Sequence, residues 1–123
     1  MKPIISPSIL SANFAYLAND IEMINGSEAG WVHIDIMDGV FVPNISFGFP
    51  VLKYVAKLAE KPLDVHLMIV QPEKFIPEVK ALGARIMNVH YEPARIFTGW
   101  CSRFVKRECC LRLLSTRLLR WLC

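Results

Sequence analysis

Short apolar runs alternate with amphipathic helical patterns through the first 92 residues, and this alternation limits the possible folds of the chain. Four segments have the length and apolar content of β-strands: residues 3–10, 31–37, 62–70 and 84–92. Three segments between them carry an apolar stripe at helical spacing: residues 11–26, 50–61 and 72–83. Such alternation is typical of βαβ units on a parallel sheet. The sequence therefore predicts an α/β fold, either half of a (β/α)8 TIM barrel or a small open sheet.

Composition changes abruptly near residue 92. Residues 1–92 contain no cysteine and have seven basic against ten acidic residues, a net charge of −3. Residues 93–123 contain all four cysteines, seven basic residues and one acidic residue, a net charge of +6. A chain of 123 residues is long enough for one domain. We therefore divide it into an α/β unit, residues 1–92, and an atypical Arg/Leu/Cys-rich tail, residues 93–123.

The sequence has no run of about 18 apolar residues that would predict a transmembrane helix. The first ten residues contain Lys2 and a short apolar run interrupted by Pro3 and Pro7, which is unlike a signal peptide. We expect a cytoplasmic protein that has neither a nucleic acid nor a membrane as its partner.

Polar residues occupy one face of two predicted strands. Side chains alternate along a strand, so these residues share a face within each strand: His33, Asp35 and Met37 in the second, and Asp64, His66 and Met68 in the third. The opposite faces are aliphatic and suit packing against helices, so the polar faces are expected to point inward. Two imidazoles and a carboxylate, from His33, His66 and Asp35, are a suitable ligand set for a divalent metal.

Other interpretations of these residues stay open. A strand histidine can be a hydrogen-bonded core residue, but Asp35 favours the ligand interpretation because a buried carboxylate without a partner costs several kcal/mol. Ser8 can reach a ligand at the end of the first strand or simply make a turn. The loop at residues 38–48 is long for a βα connection, and such loops commonly contact substrate. His90 and Glu92 share a face and can support metal ligands or form a salt-bridged strand end.

Several segments resemble, in order and spacing, the amino-terminal half of the ribulose-phosphate 3-epimerase family: SPSILSANF, VHIDIMDGVFVPNISFG, DVHLMIVQPE and NVHYE. The resemblance covers essentially residues 1–92 and rests on several motifs rather than on one short pattern. It implies a (β/α)8 barrel that interconverts ribulose 5-phosphate and xylulose 5-phosphate in the pentose phosphate pathway, using a divalent metal.

The resemblance also implies roles for individual residues. The implied ligands of one divalent ion (zinc, iron, manganese or cobalt) are His33, Asp35 and His66. The implied contacts to the substrate, a small ketose phosphate, are Ser8, His66, Met37 and Met68. Asp35 would also be one of two acid/base groups, which remove and return a proton through an ene-diolate that the metal stabilises.

Residues 93–123 do not continue the family pattern. By resemblance, a fourth metal ligand comes from the seventh strand, an Asp that is the other acid/base, and glycine loops for the phosphate come from the sixth to eighth strands. The tail has no counterpart of these, and its one acidic residue is Glu108. We therefore expect a truncated half-barrel that holds one base of a two-base mechanism and is inactive.

Three interpretations of the tail stay open. A reading-frame shift in the encoding DNA would produce the abrupt change of composition. A basic membrane-surface helix would explain the Leu, Arg and Trp of residues 109–122, although the arginines do not form one clean polar face. A metal or disulfide site would use Cys101, Cys109, Cys110 and Cys123, although an adjacent pair lacks zinc-ribbon spacing.

Two alternatives to a ribulose-phosphate epimerase are compatible with the same residues. The chain can be a non-catalytic fragment that binds a divalent metal weakly or pairs with another chain. It can also be an epimerase of a six-carbon ketose phosphate, because family relatives with such substrates share these strands. A half-barrel leaves strand edges and apolar faces uncovered, so we expect the chain to form a homo-oligomer.

Overall fold

A computed structural model describes residues 3–90 in full, together with the backbone of residues 110–114 and 119–121. The strands are β1 (Val32–Met37), β2 (Leu63–Met68), β3 (Ile86–His90), β4 (Cys110–Leu114) and β5 (Leu119–Trp121). The α-helices are α1 (Leu17–Gly26), α2 (Phe49–Leu58) and α3 (Ile76–Ala81). Short 3₁₀ turns occur at Ile9–Ser11, Phe14–Tyr16 and Pro72–Phe75.

The strands form one sheet in which their spatial order equals their order along the chain. Neighbouring strands from β1 to β4 are parallel, and β5 is antiparallel to β4. Helices α2 and α3 connect β1 to β2 and β2 to β3. Parallel neighbours joined by a helix are the repeating unit of a (β/α)8 barrel. The predicted α/β fold is therefore confirmed, and the described residues form part of such a barrel.

One face of the sheet supplies the hydrophobic core. The aliphatic residues of β1 and β2 are buried, as predicted: Val32, Ile34, Ile36, Leu63, Val65 and Leu67. The helices add Ile21 and Ile24 from α1, Leu52 and Val55 from α2, and Val79 from α3. Burial of each such side chain stabilises the fold by about 1.5–3 kcal/mol. The helices thereby cover the aliphatic face, which leaves the opposite face of the strands for polar residues.

The prediction of a regular strand over residues 3–10 is wrong, although the segment does lie beside β1. Residues 3–8 run beside β1, where the backbone N–H of Gly30 donates to Ile5 at 2.9 Å and that of His33 donates to Pro7 at 2.9 Å. The pairing amounts to a single parallel bridge between Ser8 and His33. Proline has no N–H to donate, so Pro7 interrupts the ladder. A 3₁₀ turn then follows at Ile9–Ser11, where the Ser8 hydroxyl accepts the N–H of Leu10 at 3.2 Å.

All three predicted helices are also shorter than expected, and the second ends at Leu58. The segment before α1 is a 3₁₀ turn whose N-terminus is capped by Asn13, and Phe14, an apolar residue within the helix predicted over residues 11–26, is 54% exposed. The third predicted helix is divided into the turn Pro72–Phe75 and α3. Pro77 lies in the first turn of α3, a position where proline is tolerated because its missing N–H has no helical partner. Within the described residues, no helix is long and apolar enough to cross a lipid bilayer.

The described part of the tail is extended. β4 pairs with the outer edge of β3, and β5 pairs with β4. The helix interpretation of the tail is therefore wrong for these two segments, and so is the expectation that the last strand of the α/β unit has an unpaired edge. An open parallel edge presents a row of backbone donors and acceptors, which favours the addition of a strand. The expected homo-oligomer stays a prediction.

Candidate metal centre

Parallel pairing of β1 with β2 creates two polar cross-strand pairs. His33 lies opposite Asp64, and Asp35 lies opposite His66. The order of His and Asp is reversed between the two strands, so each imidazole has a carboxylate as its neighbour across the ladder. This register brings His33, Asp35 and His66 together on the face of the sheet that the helices do not cover.

Asp35 is the centre of this cluster. Its Oδ1 lies 3.2 Å from Nε2 of His33 and 3.0 Å from Nδ1 of His66. Its Oδ2 accepts a hydrogen bond from the Ser8 hydroxyl at 2.5 Å. The bridge between Ser8 and His33 places Ser8 beside Asp35, and the predicted contact of Ser8 with substrate stays a prediction.

The three side chains fit a divalent metal. One ligand atom from each of His33, Asp35 and His66 can be chosen so that all three lie within 4.8 Å of one another. Ligands about 2.0–2.1 Å from a tetrahedral ion are separated from each other by about 3.3 Å, close to the two contacts of Asp35 Oδ1. Nitrogen and carboxylate donors in this combination suit zinc, iron, manganese or cobalt.

The cluster also perturbs the ionisation of its members. Hydrogen bonds to Asp35 and to Asp64 raise the pKa of His33 to about 9, although burial opposes the charged form. Burial raises the pKa of Asp35, but hydrogen bonds from His33, His66 and Ser8 outweigh it and bring the pKa well below its usual range. The cluster therefore stabilises a positive charge beside the Asp35 carboxylate, and a divalent cation would replace the proton on His33 Nε2.

Asp64 and Asn88 complete the surroundings of His33, although the sequence had suggested no role for either. Asp64 accepts a hydrogen bond from His33 Nδ1 at 2.9 Å and another from Asn88 Nδ2 at 2.5 Å. A signal was present in the sequence, since Asp64 shares a strand face with His66 in the same way that Asp35 shares one with His33.

His90 lies against the other imidazole of the cluster. Its Nε2 is 3.0 Å from Nε2 of His66, so one of these two nitrogens carries a proton and donates it. The ring of Phe41, from the loop after β1, lies 4.9 Å from the ring of His90, centroid to centroid. His90 therefore contacts a candidate metal ligand, which agrees with the interpretation that it supports the ligands. Glu92 lies outside the described residues.

The two methionines lie at the end of the polar face. Met37 and Met68 are opposite each other in the register of β1 and β2, and both are partly exposed. They occupy the last position of each strand, one step beyond the pair formed by Asp35 and His66. Their predicted contact with substrate stays a prediction.

The loop after β1 folds back onto the strand that precedes it. The Ser46 hydroxyl donates to the backbone oxygen of Asp35 at 2.9 Å and accepts the N–H of Met37 at 3.0 Å. Gly39 turns the chain with a φ of 75°, a conformation that glycine adopts without strain. The loop at residues 38–48 is therefore tied directly to the strand residue that carries the central carboxylate.

Asp38 joins this loop to the loop after β2. Its Oδ1 accepts the N–H groups of Val40 and Phe41, both at 2.9 Å, and its Oδ2 accepts the N–H of Val70 at 2.8 Å. Burial opposes ionisation of Asp38, but these three N–H groups outweigh it and lower its pKa. One carboxylate thus orders both loops at the carboxyl edge of the sheet.

Replacing Asp38 with alanine is expected to loosen both loops. Loss of a capping carboxylate costs about 1–2 kcal/mol, so amide exchange at Val40, Phe41 and Val70 should accelerate about 5- to 30-fold. Hydrogen exchange measured by NMR tests this. Asp38→Asn is the matched control: its single oxygen can serve either the pair Val40 and Phe41 or Val70, so protection should survive on one side only. Unchanged exchange at all three amides in the alanine variant would contradict the assignment.

The predicted cysteine site is not part of the described structure. Cys101, Cys109 and Cys123 lie outside the described residues, and Cys110 is described through its backbone alone. Glu108, the acidic residue of the tail, also lies outside them.

Comparison with known proteins gives a consistent result. A sequence model of the ribulose-phosphate 3 epimerase family matches residues 4–108. Ribulose-phosphate 3-epimerase of Synechocystis sp. is 46% identical over 89 residues, which are 72% of this chain and 39% of that protein. The enzyme of the same name from Bacillus subtilis is 48% identical over 88 residues, 72% of this chain and 41% of that protein. Ribulose-5-phosphate-3-epimerase, chloroplastic, of Arabidopsis thaliana is 48% identical over 89 residues, 72% of this chain and 32% of that protein.

The chain spans less than half the length of these curated relatives. The family match continues to residue 108, beyond the change of composition near Glu92. The proposed boundary at residue 92 and the reading-frame shift stay predictions.

Proposed function

Because the chain belongs to the ribulose-phosphate 3-epimerase family, we propose that it carries the metal-binding part of an enzyme that interconverts ribulose 5-phosphate and xylulose 5-phosphate. The observation behind this proposal is the cluster of His33, Asp35 and His66, whose ligand atoms lie within 4.8 Å of one another. The relatives have the names of ribulose-phosphate epimerases, and we extend that reaction to this chain.

Epimerisation next to a ketone requires removal of a carbon-bound proton and its return on the opposite face. In the proposed reaction, His33, Asp35 and His66 hold a zinc, iron, manganese or cobalt ion, and Asp35 removes the C3 proton. Ser8, which donates to Asp35 Oδ2, keeps the carboxylate oriented while it acts. The ion would supply stabilisation of the negative charge that develops on the ene-diolate oxygen. No described residue is assigned as the other base of the two-base mechanism, and the one acidic residue of the tail is Glu108.

The low pKa of Asp35 sets a condition on this chemistry. A carboxylate that is so strongly stabilised as an anion is a weak base. It can remove the proton at a useful rate only where the acidity of the substrate carbon is raised in the same site. Asp35 would therefore act on the carbon next to the carbonyl group that a bound ion would polarise.

The test is exchange of the substrate proton with solvent. With ribulose 5-phosphate in deuterium oxide, the full chain is expected to incorporate deuterium at C3 in the presence of zinc, manganese or cobalt. Because one base suffices for exchange but not for inversion, xylulose 5-phosphate should not accumulate. A chelator should stop the exchange. Proton NMR follows both signals, and exchange that persists after removal of the metal would overturn the proposed mechanism.

A second candidate function is metal binding without turnover. The low pKa of Asp35 favours it, since the same stabilisation that weakens a base strengthens an anionic ligand. This function predicts that cobalt binds to the cluster while no deuterium enters the substrate. Exchange with a six-carbon ketose phosphate, and none with ribulose 5-phosphate, would instead support the hexulose alternative.

A further inference from the structure

Two polar side chains lie buried behind the proposed metal site. Asp64 is 7% exposed and Asn88 is 4% exposed, and they are the buried polar residues among those the structure describes in full. A buried carboxylate is costly unless its oxygens accept hydrogen bonds. Both oxygens of Asp64 do so, Oδ2 from His33 Nδ1 and Oδ1 from Asn88 Nδ2.

These contacts hold the imidazole of His33 at both of its nitrogens. Nδ1 donates to Asp64, and Nε2 lies 3.2 Å from Asp35 Oδ1, on the side of His66. An imidazole with Nδ1 engaged by a carboxylate has Nε2 available as a metal ligand. Asn88, one strand further along the sheet, prevents the Asp64 carboxylate from rotating away, because its amide occupies the second oxygen.

We propose that Asp64, oriented by Asn88, is a positioning residue that holds His33 with its proton on Nδ1 and with Nε2 directed at the metal. This inference rests on the proposed metal site. Asp64 would not be a ligand of the ion, since the candidate ligands are His33, Asp35 and His66. It acts through His33, by fixing the direction of the ring and by making the imidazole a stronger donor.

The hydrogen-bond pattern makes asparagine an informative replacement at position 64. Asp64 accepts two hydrogen bonds, whereas an asparagine side chain offers one acceptor and one donor. In Asp64→Asn the new amide N–H meets either the N–H of His33 or that of Asn88, unless the Asn88 amide turns over, and in every arrangement His33 Nδ1 loses its ionised acceptor. The double variant Asp64→Asn with Asn88→Asp removes this conflict, because the amide at position 64 then donates to the carboxylate at position 88 and its oxygen accepts from His33.

The experiment measures cobalt binding to the full chain by visible absorption, with zinc as a competitor. The loss of such a supporting carboxylate typically weakens metal binding 10- to 100-fold, so the Kd of Asp64→Asn should rise by that factor. The Kd of the double variant should be at least threefold lower than that of Asp64→Asn. The matched control is Asp20→Asn, which removes the same charge from an exposed carboxylate of α1 that accepts the N–H of Asn13 at 2.7 Å. Its Kd should stay within twofold of the wild-type value.

A second readout separates positioning from a general effect on folding. In the zinc-loaded chain with ¹⁵N-labelled histidine, the wild type and the double variant should both show the His33 proton on Nδ1. If circular dichroism shows that Asp64→Asn does not fold, the double variant decides: a Kd within about 30-fold of wild type and a proton on Nδ1 support the inference.

The outcomes also separate this inference from the function on which it rests. No cobalt binding by the wild-type chain overturns the metal site and this inference together. Binding by the wild type that is equally tight in a folded Asp64→Asn overturns this inference alone. If the zinc-loaded wild type has the His33 proton on Nε2, this inference alone is likewise overturned.

Discussion

Replacing Asp35 with asparagine is expected to abolish deuterium exchange at C3 of ribulose 5-phosphate, with a loss of at least about 100-fold and up to about 10,000-fold. Asp35 is the proposed base and also the residue that both imidazoles of the cluster contact. The variant retains the shape of the side chain but loses its charge and one acceptor. Metal affinity and proton removal should therefore fall together.

The ionisation of His33 supplies an independent measure of the same change. In the metal-free wild type its pKa is about 9, and the hydrogen bond to Asp35 is the largest cause of the increase. In Asp35→Asn the pKa should therefore fall towards the ordinary value near 6.5, although Asp64 still contacts the ring. An NMR titration of the histidine signals measures the shift.

Asp20→Asn is the appropriate control for both measurements, since its carboxylate is exposed and lies on α1. In Asp20→Asn, the rate of deuterium exchange at C3 and the pKa of His33 should equal the wild-type values. Exchange within tenfold of wild type in Asp35→Asn would exclude Asp35 as the base. An unchanged His33 pKa would contradict the contact between the two side chains.

Replacing Leu67 with alanine is expected to have the largest effect on stability. Leu67 is completely buried in β2, the strand that lies between β1 and β3. Removing a buried leucine side chain costs about 2–5 kcal/mol, because transfer free energy is lost and a cavity remains. Small domains have a total stability of about 5–15 kcal/mol, so this variant should lose a large share of its folding free energy. Urea denaturation monitored by circular dichroism measures the change in the free energy of unfolding.

Leu58→Ala removes the same atoms from the end of α2, where the side chain is 40% exposed. Its cost should stay below about 1 kcal/mol, since surface substitutions rarely cost more. If the Leu67→Ala variant shows no cooperative transition, the cost of the substitution has exceeded the free energy of unfolding. This result also agrees with the expectation. Equal costs for the two leucines would show that β2 is not at the centre of the core.

The sequence was sufficient to predict β1, β2 and β3 because the signal is repeated. The aliphatic residues of β1 and β2 recur at every second position, and the register places them all on the face that the helices cover. The same period placed His33 and Asp35 on the other face. These predictions depend on local geometry alone, since successive side chains of a strand always point in opposite directions.

Predictions at the ends of elements were less accurate, and proline is the main reason. A strand over residues 3–10 was expected from its apolar residues, but Pro7 removes a donor and leaves one bridge. The helix expected over residues 72–83 is divided before Pro77. A prediction from side-chain period and hydrophobicity takes no account of a single missing backbone N–H. The hydrogen bonds of a strand or helix, in contrast, require that N–H as a donor.

The sequence by itself determined the α/β alternation, the inward face of each strand and the identity of the candidate ligands His33, Asp35 and His66. Tertiary structure alone decided which residues face each other. A two-residue change in the register of β1 against β2 would keep the aliphatic side chains of both strands on the covered face and yet separate His33 from Asp64 and Asp35 from His66. The contact of Asn88 with Asp64 likewise depends on a third strand. Side-chain period is a property of each strand, but register depends on the packing of the whole sheet, so one sequence pattern cannot specify it.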